Sequence, residues 1–156
     1  MEDVRRILVL AMDIKNSTKA VHYGASLARS YGAELVVLHV VHDPFGAEGW
    51  NLPFLSIDEE YKNVLDVAKK DLAKIIRDET KKGVAVTEMV MEGEPTGVIL
   101  QVIQDKRIDL LLVPAHKEGR LEHFLFGRSN DDLIRRMPCS IILVKQEEES
   151  RAASRK

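Results

Sequence analysis

Asp13 stands directly behind a short apolar run, Ile7-Leu8-Val9-Leu10-Ala11-Met12. A carboxylate there can accept hydrogen bonds from a ligand, or it can cap the turn that follows through Asn16 or Ser17. Glu92 and Glu94 flank a glycine and could act as general acid and base, but no nucleophile or positioned partner accompanies them, so they read as solvated turn acids. His39, His42, His116 and His123 carry imidazoles whose spacing matches no compact ligand set, and no cysteine pair supports them, so no metal site is expected. Cys139 follows Pro138 at the start of an apolar run, where a packed thiol is expected rather than a redox centre. Arg135, Arg136 and Lys145 sit among acids or at a helix end, where they complement the helix dipole. No catalytic residue is assigned, and a binding role is expected over an enzymatic one.

The elements that must hold these residues alternate along the chain. Ile7 to Met12 is apolar without interruption, the pattern of a strand buried on both faces of a parallel sheet. Ser17 or Thr18 is expected to cap a helix carrying Ala20, Val21, Tyr23, Gly24, Leu27 and Ala28, ended by Gly32. Glu34 to Val41 is a second apolar strand. A turn-rich segment through Ser56 holds Phe45, Trp50 and Phe54, which are expected to cover the core. Ser56 or Asp58 opens a long helix to about Lys82, with Gly83 as its C-cap.

Val84 to Met91 alternates and reads as a less buried strand, and Pro95 lies near the start of a helix with Val98, Ile99, Val102 and Ile103. Asp109 to Val113 is a further buried strand, followed by a polar loop from Pro114 to Glu122. A fourth helix runs from about Gly127 to Arg136, Pro138 stops it, and Ser140 to Lys145 is the last strand. Five strands alternating with four helices imply parallel pairing through crossovers, an open doubly wound α/β sheet. In such sheets ligands bind beyond the carboxyl ends of the strands, which directs attention to Asp13 and to the loop from Pro114.

The composition excludes several classes. The 156 residues suit one domain, and 45% hydrophobic with 31% charged residues is too apolar for a disordered chain. The formal charge of -2 argues against a nucleic-acid binder. No apolar stretch approaches the roughly 20 residues of a membrane span, and the first residues lack the apolar core of a signal peptide. One cysteine permits no internal disulfide, so a reducing, cytoplasmic setting is expected. The domain is expected over residues 1–146, with 147–156 a disordered charged tail.

The segments RILVLAMD, LARSYGAELVVLHVV, GEPTGVILQVI, DLLLVPAH and GRSNDDLIRRMPCSIILVK occur in this order and together resemble the universal stress protein (UspA-like) family over about residues 4 to 145. The resemblance implies a Rossmann-like sheet of the adenine nucleotide alpha hydrolase type with strand order 3-2-1-4-5, so that Asp13 and the Pro114 loop face one crevice. It implies that Asp13 lies beside an adenine base and that the backbone of Val40 runs along it. It also implies a stress-response role and a homodimer through Ser140 to Lys145, which would pair an otherwise exposed edge strand.

The family's ATP-binding members carry G-x2-G-x9-G-[ST] after the fourth strand. Aligned back from Pro138, this chain has Pro114, Lys117, Gly127 and Arg128 at those positions, so only Gly127 matches. Proline has a fixed φ and no N–H to offer a phosphate, and Lys117 puts a long side chain where the family has bare backbone. Arg128 puts a cation at a helix N-terminus, which is unfavourable unless an anion lies beside it. A remodelled nucleotide site with no tight ATP binding and no resident cofactor is the expectation. The alternative is a nucleotide-binding protein that holds phosphates with Lys117, Arg120 and Arg128, aided by Ser129. An unidentified protein partner also belongs to the first reading; nucleic acid and membrane do not.

Overall fold

The computed structural model describes residues 3–11, 14–41, 55–115 and 135–145. Five strands run through them: β1 (Arg6–Leu10), β2 (Glu34–Val41), β3 (Val86–Glu92), β4 (Leu110–Ala115) and β5 (Ser140–Lys145). Three helices connect them: α1 (Ile14–Tyr31), α2 (Leu55–Thr80) and α3 (Pro95–Lys106). All pairings are parallel, in the spatial order β3-β2-β1-β4-β5. Of the fourth expected helix, only Arg135 and Arg136 fall among the described residues, and both are helical. The segment with Phe45, Trp50 and Phe54, the polar loop after Ala115 and the tail lie outside them.

The uninterrupted apolar strands follow from covering both faces of the sheet. Successive side chains of a strand point to opposite faces. Ile7 and Val9 join Leu35, Val37, Leu110 and Leu112 under α1 and α2, while Leu8 and Leu10 join Val36, Leu38 and Leu111 under α3. Every residue from Ile7 to Leu10 is fully buried.

α1 begins at Ile14, so the expected cap at Ser17 or Thr18 does not hold. Ser17 lies inside the helix, fully buried, at the head of the small-residue stripe Ala20, Val21, Gly24, Ala25 and Ala28 that faces the sheet. Its size suits that stripe better than its hydroxyl suited a terminus. A Cβ on Gly24 would meet Val9 Cγ2 at 2.5 Å and Leu35 Cδ1 at 3.2 Å. The helix therefore rests directly on β1 and β2, and only glycine permits that approach.

β3 starts two residues later than its alternation suggests, at Val86, although Val84 is buried in the core ahead of it. β4 is longer at its carboxyl end than expected. Pro114, read as the first loop residue, is instead a buried strand residue in register with Val144 of β5. The β1–β4 ladder stops at Val9 and Leu112, so the missing N–H falls where β4 has left one neighbour behind. Asp109 precedes β4 rather than opening it; its Oδ2 accepts from the backbone N–H groups of Arg5 (2.8 Å) and Arg6 (2.9 Å) and ties β4 to the start of β1.

Candidate functional site

The chain reverses direction across the sheet between β1 and β4: β2 and β3 lie on one side, β5 on the other. β1 ends at Leu10 and α1 begins at Ile14, whereas β4 continues beside β5 to Ala115. The two central strands thus part beyond the Val9–Leu112 pair, leaving the crevice at which doubly wound sheets bind ligands.

Of the residues assigned to this crevice from sequence, Val40 and Pro114 are described. Val40 is buried, with its side chain in the core under α3, so only its backbone can border a ligand. Pro114 is buried at the end of β4 and has no backbone donor. Asp13, Lys117, Gly127, Arg128 and Ser129 lie outside the described residues, as do Arg120, His42, His116 and His123. His39 is the histidine of that group that the structure describes, and its Nδ1 is hydrogen-bonded to the carbonyl oxygen of Ala11 at the end of β1.

The Glu92–Glu94 pair is not a pair of free turn acids. Glu94 is the N-cap of α3, and its carboxylate accepts from Thr96 N (3.0 Å) and Gly97 N (2.7 Å). The capping chemistry of a residue just before Pro95 identifies it in retrospect. Glu92 ends β3, exposed.

Cys139 lies at the opposite end of the sheet. It is half-buried and lines a cleft of about 380 Å³ with Val4, Ile108, Asp109 and Pro138, at the amino ends of β1, β4 and β5. Burial pushes its thiol up to about 11, and the Asp109 carboxylate acts in the same direction. The thiol is therefore held protonated and is a poor nucleophile.

The sequence reading missed one cluster. Glu79, near the end of α2, is 5% exposed and is contacted by His22 Nδ1 at 3.1 Å, Lys82 Nζ at 3.5 Å and Arg29 Nη1 at 3.9 Å. It joins α2 to α1, and the Arg29 and Lys82 cations beside it offset part of the cost of burying a carboxylate. Its run, Arg77-Asp78-Glu79-Thr80-Lys81-Lys82, reads as a solvated helix end, and no local signal separates Glu79 from Asp78. Among the described residues no group of three or more His, Cys, Asp or Glu is placed to hold a metal, and no helix is long and apolar enough to cross a membrane.

The chain is similar to known proteins in both sequence and fold. The model of the universal stress protein family matches residues 3–145. The universal stress protein MJ0531 of Methanocaldococcus jannaschii is 26% identical over 151 residues, covering 93% of this chain and 85% of its own. A universal stress protein crystallised in complex with cAMP superimposes with a TM-score of 0.63 at 15% identity, covering 92% of this chain and 98% of its own. The universal stress protein from Archaeoglobus fulgidus in complex with dAMP gives 0.60 at 16% identity, covering 93% and 100%. With the sheet order β3-β2-β1-β4-β5 and a family match running from ahead of β1 to the last residue of β5, the chain belongs to the universal stress protein family.

Proposed function

We propose that this chain is a cytoplasmic, homodimeric binding and regulatory module whose crevice takes adenine mononucleotides and gains nothing from the outer phosphates of ATP. The observation that carries this reading is Pro114, a buried strand residue without an N–H at the first position of the phosphate loop. A phosphate loop works by presenting backbone N–H groups, and proline withholds one and fixes φ. Lys117 and Arg128 at two further loop positions extend the same departure. The adenosine side of the crevice keeps the family's residues, Asp13 and the backbone of Val40. The fold neighbours with cAMP and dAMP, both monophosphates, support that class of ligand.

Calorimetric titration of the purified chain with AMP, cAMP and ATP tests the reading. The expected outcome is weak binding of AMP or cAMP and no tighter binding of ATP. ATP carried through purification, or bound at micromolar affinity, overturns it. The basic residues Lys117, Arg120 and Arg128 favour a second reading, in which side chains replace the backbone as the phosphate grip. In that case Lys117→Ala and Arg128→Ala each weaken ATP binding, and no effect from either rejects it.

A further inference from the structure

We propose that His39 is a positioning residue for the carboxyl end of β1, holding it to β2 through the Ala11 carbonyl. The proposal takes the carboxyl end of β1 to border the ligand crevice, as read above. β2 is Glu-Leu-Val-Val-Leu-His-Val-Val, and an imidazole among these apolar residues is costly unless its nitrogens find partners. Strand alternation puts His39 on the face of Leu35 and Val37, beneath α1 and α2. There Nδ1 meets the carbonyl oxygen of Ala11.

A carbonyl can only accept, so Nδ1 carries the proton, and it does so whether the ring is neutral or charged. The N–H of the same Ala11 donates to Leu38 O at 2.8 Å. Both polar groups of this residue are thus held by two consecutive residues of β2. Ala11 itself is fully buried, one residue past the end of β1, and stands two residues ahead of Asp13 in the chain. The side chain of His39 therefore fixes the peptide at which β1 ends without itself belonging to the group of ligand-binding residues.

Two variants separate this from plain core filling. Asn places an amide N–H close to where histidine has Nδ1, and Leu fills the space with no donor. In ¹⁵N-labelled wild type, His39 is expected as the Nδ1-protonated tautomer; the Nε2-protonated tautomer overturns the proposal whether or not a variant folds. His39→Leu is expected to shift the amide resonances of Met12 to Ile14 while leaving Leu111 and Leu112 in place, and His39→Asn to restore them. Met12 to Ile14 resonances unmoved in His39→Leu, or moved as far in His39→Asn, overturn it. AMP affinity is expected to fall about tenfold in His39→Leu, the scale of one lost hydrogen bond, and to hold in His39→Asn. Equal AMP affinity in all three proteins also overturns the proposal. A wild type that does not bind AMP overturns the ligand reading instead, and the tautomer and the Met12 to Ile14 resonances then decide the role of His39.

Discussion

Cys139 and Glu79 show how far the surroundings that folding supplies decide what a side chain does. The thiol is half-buried beside the Asp109 carboxylate, and both surroundings disfavour the thiolate, pushing it up to about 11. At pH 8 a thiol so shifted holds roughly a hundredfold less thiolate than a free cysteine. Iodoacetamide is therefore expected to modify native Cys139 slowly at pH 8, with a rate that climbs until about pH 11. Modification at the free-cysteine rate, levelling off near pH 9, contradicts this burial. Because the native pKa is the higher, the folded state keeps the proton after the unfolded state has lost it. Stability is unaffected below the ordinary thiol pKa and declines as pH rises from there toward about 11. The inert thiol was legible in sequence from Pro138 before it and an apolar run after it. The burial of Glu79 was not, because its partners His22 and Arg29 sit on another helix, and no local pattern reports contacts across that distance in the chain.

Among the elements, α1 shows most clearly why type is easier to read than boundary. Its apolar stripe specifies the helix, but a hydroxyl residue at the head of that stripe reads equally as a cap. Ser17 is in fact the stripe's first buried member, and the helix starts at Ile14. Small residues serve both at termini and at close contacts, so sequence alone does not separate the two uses. The contact itself makes a sharp prediction. At Gly24 an added Cβ would lie 2.5 Å from Val9 Cγ2, in a fully buried strand that cannot yield. Alanine gains about 1 kcal/mol in helix propensity, but overpacking costs about 1–3 kcal/mol. Gly24→Ala is expected to lower stability in urea by about 1 kcal/mol net and Gly24→Val by more. An alanine variant as stable as wild type shows that the helix does not rest on β1 at that point. α3 is the converse case: Pro95 marks its start, and Glu94 ahead of it supplies the cap with its carboxylate.

At the scale of the whole molecule, β5 is the edge strand that completes the β3-β2-β1-β4-β5 order, and Leu143 on it is 46% exposed. An apolar edge strand invites pairing, and a second copy of the same strand across a two-fold axis satisfies it. The purified chain is expected to sediment as a dimer, and Leu143→Arg, which puts like charges across that axis, as a monomer of unchanged fold. A wild type that sediments as a monomer at tens of micromolar rejects the homodimer. So does a Leu143→Arg variant that remains fully dimeric.

The amino-acid sequence by itself determined the alternation of strands and helices and the burial of β1, β2 and β4 on both faces. Each of these is written in short stretches of residue type, period or spacing. The strand order 3-2-1-4-5 entered as what a family resemblance implies, because spatial order depends on pairings between residues far apart in the chain. Tertiary structure alone decided that Pro114 belongs to a strand, that Ser17 is core, that Glu79 is buried beside His22, Arg29 and Lys82 and that His39 holds the end of β1. In each case the deciding partner lies on another element, and only folding brings the two together.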